Sequence, residues 1–286
     1  MSEARVAVSL PIQTRGYASK RFLLIGGLLL AGLVIIALLA PWIAPHDPDT
    51  VEVRRVLGKP DLLHPFGSDV LGRDVLSRVI YGLRVSLLVS VSAVAASLAV
   101  AAPLGLAAGY FGRWVDTAVS RSLDMILIFP AMLLAVTFIA IVGPGGLIAA
   151  IAIAVIYLPI LARVMRASTL VVSQHEYVAG ARARGASHLR VLATHVAPNA
   201  LGPVIVQASV LSAFALQLEA GLSFLGLGAQ PPTPSLGGML ADGRDVLTQA
   251  PWVEVFPGLA IVVAVLAFAF LGEGLRRIFD PLGVAE

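Results

Sequence analysis

The chain contains no cysteine and only two lysines, Lys20 and Lys59. The first absence excludes a disulfide scaffold and any thiolate metal site or thiol nucleophile. The second excludes a phosphate-binding P-loop, which needs Gly-Lys followed by Ser or Thr, because Gly58-Lys59 runs straight into Pro60. Charge of either sign is scarce at 13%, about half of what an ordinary soluble domain carries. Aromatic residues make up 7%, and no basic run is interleaved with them, as single-strand nucleic-acid binding would need. No nucleic-acid partner is therefore expected. What is abundant is apolar residue, 58% of 286, too much for a water-facing surface. The sequence reads as an integral membrane protein, with the lipid bilayer as its first partner.

A hydrocarbon core of about 30 Å needs roughly 20 apolar residues of helix, so stretches without Asp, Glu, Lys or Arg locate the spans. Phe22 to His46 and Val85 to Gly112 each supply one. From Met125 to Ala162 the uncharged run is about twice the length one helix needs. Gly143-Pro144-Gly145-Gly146 divides it into a hairpin of two spans, since proline cannot donate to the helical ladder and glycine turns cheaply. Val191 to Leu218 and Val255 to Gly272 give the fifth and sixth. The expected fold is all-α, with six transmembrane helices. The implied segments are 1–21 at the N-terminus, a first transmembrane helix over 22–44, an extracytoplasmic loop over 45–84, a five-helix core over 85–274 and a tail over 275–286. Pro41, Trp42 and Pro45 close a first run too long for a signal-peptide core, so an uncleaved first helix is expected.

Orientation follows from lysine and arginine. With both termini inside, the inner segments hold thirteen of the twenty basic residues, and the outer segments hold seven against nine acids. Both termini are thus expected in the cytoplasm.

Sites of chemistry are sparse. The histidines are His46, His64, His175, His188 and His195, and none forms an H-x-x-x-H or H-E-x-x-H pair. No metal site, no cofactor bound by this chain and no enzyme activity are expected. Glu219 stands alone near the end of span five in QLEAGLSFLGLG. An ionisable group at membrane depth is expensive and defaults to function. With Gly221, Gly226 and Gly228 it is a candidate for the outer mouth or gate of a pore, against a plain interfacial reading of equal weight. Ala101, Gly105 and Gly109 form a small-residue stripe that lets another helix, in this chain or another, approach closely.

Residues 175–203, HEYVAGARARGASHLRVLATHVAPNALGP, are too charged to span and too rich in alanine for a plain loop. Good helix formers run from Glu176 to Ala183, with the acid in the first turn and Gly185 as terminator. Ser187 can cap a second short helix. The large apolar anchors of an interfacial helix are few, which favours a protein-docking knob over a membrane-surface helix. Its candidate residues are Glu176, Tyr177, Ala179, Gly180, Ala181, Arg182, Gly185, Ala186 and Ser187, within a coupling segment over 170–197.

This segment resembles the cytoplasmic loop of binding-protein-dependent ABC importer permeases, with Gly185 at the motif glycine and His195-Val196-Ala197-Pro198 at its end. Ala179 stands where that motif has glutamate, Gly180 where it has alanine, and Arg184 where an apolar residue is usual. HPFGSDVLGRDVLSRVIYGLRVSLL (64–88), AGYFGRWVD (108–116), EAGLSFLGLGAQPPTPSLGGMLADGRD (219–245) and GEGLRRIFDP (272–281) extend the likeness over nearly the whole chain. They resemble the C-type permease of dipeptide, oligopeptide and nickel importers. The resemblance implies a type I importer permease fold, one N-terminal helix plus a five-helix core, in a bacterial inner membrane. It implies four partners: a homologous B-type permease, two ATP-binding subunits that hold ATP and magnesium, and an extracytoplasmic substrate-binding protein. Relatives also carry glutathione, nickel chelates or haem, so the substrate stays open. An ion-coupled secondary transporter is the alternative; it would show inverted repeats with helices broken at midplane, and none is evident.

Overall fold

A computed structural model describes residues 15–279, with side chains from Arg21 onward. Residues 1–14 and 280–286, and with them most of the expected N-terminal segment and half of the tail, lie outside the described residues. In chain order the helices are α1 (Arg15–Leu38), α2 (Ala40–Ile43), α3 (Val75–Phe111), α4 (Arg113–Leu127), α5 (Ala131–Val142), α6 (Gly146–Ser173), α7 (Glu176–Ala183), α8 (His188–Val191), α9 (Ala197–Phe224), α10 (Leu236–Gly243) and α11 (Trp252–Phe279). Among the described residues there is no strand, only an isolated bridge between Ser68 and Asp74. Five stretches are long and apolar enough to cross a membrane: α1, α3, α6, α8 to α9 in series, and α11. A sixth results if α4 and α5, bent by 86° at their junction, count as one span.

The bend falls inside the third span expected in the run that begins at Met125. Pro130 has no amide to donate, and the residue before a proline is pushed out of the helical region, so the ladder stops at Leu127 and restarts at Ala131. Twelve residues of α5 rise about 18 Å, too short to cross alone. α4 carries the charges, and two of them tie it to α6. The Arg166 guanidinium pairs with Asp116, Nη2 donating to Oδ2 at 2.6 Å, and Arg163 Nη2 donates to Asp124 Oδ1 at 2.5 Å.

The loop before α3 ends at Asp74, and the last residues of the segment expected over 45–84 are helical, because Asp74 caps α3: Oδ2 accepts from the Ser77 amide at 2.8 Å. Arg78 and Arg84 give the first turns of this helix a loop-like charge density, though they belong to it. Helix α1 starts at Arg15, before the apolar run that opens at Phe22, and is interrupted near Leu39, where α2 begins with Pro41 in its first turn.

Helices pack by close backbone approach. α3 and α6 run parallel as the central pair, with Val89 beside Gly146, Gly105 beside Ala162 and Gly109 beside Arg166; α9 packs on both, α11 on α9, and α1 on α11. The small-residue stripe of α3 faces α6 of the same chain: a Cβ on Gly105 would lie 2.5 Å from the Ala162 carbonyl oxygen, and one on Gly109 would lie 2.7 Å from that of Arg166. α1 and α11 meet in the same way, with Gly26 against Leu271 and Gly274 against Leu23. Gaps this narrow replace hydrophobic driving force, which lipid does not supply, with dispersion contact between backbones. Two apolar clusters result. One runs along the bundle through α3, α4, α5, α6 and α9 to the α7–α8 segment; the other lies among α1, α3, α9, α10 and α11.

Candidate functional site

Two polar constructions occupy opposite ends of the bundle. The first is the α7–α8 knob. α7 spans 176–183 as the spacing of helix formers predicts. It ends in a paired hydrogen-bond turn: the Gly185 amide donates to the Arg182 carbonyl at 2.9 Å and the Ala186 amide to the Ala181 carbonyl at 3.2 Å. Gly185 adopts φ +82°, the left-handed conformation such a turn requires. Ser187 then caps α8, its Oγ accepting from the Arg190 amide at 3.5 Å.

Val178 and Ala181 are buried in the core and fasten the knob, together with Val191 and Val196. Glu176, Tyr177, Ala179, Arg182, Gly185 and Ser187 point away from the core and are exposed, while Gly180 and Ala186 are half-buried. A brace from α3 was not foreseen from the sequence. Tyr110 lies under the Arg182 guanidinium, 4.7 Å from its ring centroid, and its hydroxyl is hydrogen-bonded to His188 Nδ1 at 3.0 Å. The only hint was an aromatic pair, Tyr110-Phe111, closing an apolar run. Beyond α8, Leu192–Val196 widens into a π-helical turn before Pro198, and the Asn199 amide group donates to the His195 carbonyl at 2.7 Å. The knob therefore joins the span that follows it through continuous helix.

At the opposite end stands Glu219, 1% exposed. Ser223 Oγ donates to Oε1 at 2.7 Å, while Oε2 has no hydrogen-bond partner. Ser86 of α3, also buried and unpartnered, stands beside the carboxyl. Gly228 is buried against this group, since a Cβ there would fall 1.9 Å from Ser223 Oγ. Gly226 sits at φ +76° with open space around it, and Gly221 is half-buried on α9. Glu219 and Gly228 thus share one cluster inside the chain, and Gly221 and Gly226 lie on its margin.

The loop before α3 forms the other part of this end. Arg73 Nε donates to Asp69 Oδ2 at 2.7 Å, and Arg78 Nη1 donates to the Pro48 carbonyl at 3.1 Å. Trp252 of α11 donates its indole N–H to the Ser68 carbonyl at 3.1 Å, and Phe66 stacks on Phe256 with centroids 3.8 Å apart. Asp61 accepts from the amides of Leu63 and His64 at 2.9 and 2.7 Å; the His64 amide and the Arg55 guanidinium hold its carboxyl below the ordinary value. His46, His64 and Asp74, unlinked by any sequence spacing, come together here. Beside them, a cleft of about 280 Å³ opens between Arg73, Arg78 and the loop that joins α9 to α10.

A helical membrane bundle with one stiff knob at one end and a folded polar loop at the other is the architecture of a transport permease. Residues 101–282 match the family described as the binding-protein-dependent transport system inner membrane component. Residues 15–65 match the N-terminal TM domain of oligopeptide transport permease C. The chain belongs to the binding-protein-dependent transport system inner membrane components. It is 40% identical to the dipeptide transport system permease protein DppC of Alkalihalophilus pseudofirmus over 90% of this chain and 85% of that one. It is 43% identical to the di/tripeptide transport system permease protein DppC of Pseudomonas aeruginosa, over 90% and 87%. With the glutathione transport system permease protein GsiD of Pectobacterium atrosepticum it shares 39% identity over 89% and 85%. Among solved structures, a chain of the MetNI methionine ABC transporter in an inward-facing conformation superposes with a TM-score of 0.57 at 20% identity, covering 72% of this chain and 95% of that one. That likeness gives the fold.

Proposed function

We propose that this chain forms half of a heterodimeric pore that imports short peptides, with a B-type permease as the other half. Two ATP-binding subunits engage the α7 end and carry the ATP and magnesium. A substrate-binding protein delivers the solute at the loop end, and the α7 end, where α1 begins and α11 finishes, faces the cytoplasm. The observation that carries the reading is the α7–α8 knob. ATP-driven closure is a rigid-body motion and reaches a pore only through a stiff element. Val178 and Ala181 fix the knob to the core, Tyr110 braces it, and an unbroken helical path leads from it into α9. Its outward face combines small Ala179 and half-buried Gly180 with the charged Glu176 and Arg182 and the ring of Tyr177. The substrate class rests on the relatives, whose names specify dipeptides, di- and tripeptides and glutathione, itself a tripeptide. An ion-coupled transporter finds no support in the family or the fold neighbours.

The test is reconstitution with the co-expressed partners and measurement of ATP-dependent dipeptide uptake. Ala179→Trp adds bulk to the exposed face without touching the core, and Gly185→Trp adds it at the terminator. Both should lower uptake at least tenfold and weaken co-purification of the ATP-binding subunits. Gly185→Asn, which tolerates the left-handed conformation, should retain both. Unchanged uptake and association in the two tryptophan variants would overturn the docking assignment.

A further inference from the structure

We propose that His46, His64 and Asp74 bind one divalent transition-metal ion at the loop end of the bundle. The three residues come from separate segments: the exit of α2, the middle of the loop and the N-cap of α3. His64 Nδ1 and Asp74 Oδ1 are 2.8 Å apart, His46 Nδ1 and Asp74 Oδ2 are 3.8 Å apart, and the potential ligand atoms all lie within 4.8 Å of one another. The two imidazole rings stack with centroids 4.4 Å apart. His46 Nδ1 is buried, yet it has no hydrogen-bond partner. A ring nitrogen shielded from water, 3.8 Å from a carboxylate oxygen and without a hydrogen bond, is a costly arrangement unless something occupies the space between them.

The surrounding contacts fix the donor set. Asp74 Oδ2 accepts from the Ser77 amide at 2.8 Å and from its hydroxyl at 2.7 Å. The backbone amide of His46 donates to Ser77 Oγ at 3.1 Å, and that of His64 to Asp61 Oδ1 at 2.7 Å. Outer partners of this kind orient ligands and hold their geometry. Bonds of about 2.0–2.2 Å require ligand atoms roughly 3–4 Å apart, and rotation of the His46 ring, whose side chain is 35% exposed, closes the remaining distance. Two imidazoles and one carboxylate suit zinc, nickel or copper rather than magnesium or calcium. Water at the exposed side completes the coordination. The ion takes the place of the proton at His64 Nδ1, and the imidazole, neutral as a ligand, carries its one proton on Nε2. Once bound, the ion clamps the loop to the start of α3. This assignment does not depend on the transport role.

The experiment uses the full chain in detergent, carrying no polyhistidine tag and stripped with EDTA, and titrates it with zinc by calorimetry and by equilibrium dialysis with metal analysis. One zinc per chain with micromolar or tighter affinity is expected, together with a raised melting midpoint. Asp74→Ala also removes a helix cap, so the decisive variant is His46→Ala, whose lost ring makes no hydrogen bond. It should weaken zinc binding at least tenfold while leaving the metal-free melting midpoint near that of the wild type. His188→Ala, at the other end, should bind as the wild type does. Absence of saturable one-to-one binding, or equal affinity in His46→Ala, would overturn the proposal.

Discussion

Glu219 is the most expensive side chain in the membrane-spanning part of this chain, and its position defines what it does at rest. A carboxyl 1% exposed touches neither a partner nor an entering solute in this conformation, so a gating role would require α9 and α3 to part. At rest it lies between the two helices: Ser223 of the same helix donates to one oxygen, and Ser86 of α3 stands beside the carboxyl. Removing it leaves a cavity and strands the Ser223 hydroxyl. Glu219→Ala should therefore cost about 2 kcal/mol or more, read as a lower melting midpoint in detergent. Glu219→Gln preserves volume and an acceptor for Ser223 and should melt close to the wild type. Equal melting of both variants with the wild type would show that the carboxyl contributes nothing to the join. Buried Gly228 adds to the argument, because only a residue without Cβ leaves Ser223 free to make its bond.

Elements in this bundle are held by how closely backbones approach, so a glycine's importance depends on what it faces. Gly105 of α3 abuts the Ala162 carbonyl and Met165 of α6, whereas Gly27 of α1 has nothing within 4 Å. Gly105→Leu should force the central helices apart and abolish recovery of folded protein in detergent. Gly27→Ala should be tolerated, with a gain of up to about 1 kcal/mol from helix propensity. A similar yield of folded protein from the two variants would refute the close-approach account. The same elements show which features a linear sequence discloses. Boundaries of α7, the cap at Ser187, the turn at Gly185 and the small-residue stripe were legible because each depends on residues within one or two turns. The bend between α4 and α5 has a local signal in Pro130, but the same uncharged run holds a denser group of helix breakers at Gly143-Pro144-Gly145-Gly146. Asp74 as a cap was masked by the arginines that follow it. The brace from Tyr110 to Arg182 and His188 had no local hint beyond the aromatic pair Tyr110-Phe111, and the meeting of His46 with His64 and Asp74 had none. Their members lie 72 and 78 residues apart in the first case and in three segments in the second, so only the closed bundle brings them together.

At the scale of the whole molecule, the distribution of charge and the folded ends make one claim about direction across the bilayer. The chain crosses so that the start of α1 and the end of α11 share the α7 end with α4, while the loop before α3 and the segment joining α9 to α10 share the other. Arginines crowd the first end and acids offset them at the second, as the positive-inside rule orders a cytoplasmic and an outer face. Because no cysteine is present, single cysteines report on this without background. Their positions must be chosen by exposure: Ser68 is buried by its bonds within the loop and would label poorly, whereas Leu62 is 101% exposed and Leu189 of α8 is 77% exposed. In intact cells a membrane-impermeant maleimide should label Leu62→Cys and spare Leu189→Cys, and after permeabilisation both should react. Labelling of Leu189→Cys in intact cells would place the knob outside. It could not then meet a cytoplasmic ATP-binding subunit, and the coupling role would fall with the orientation.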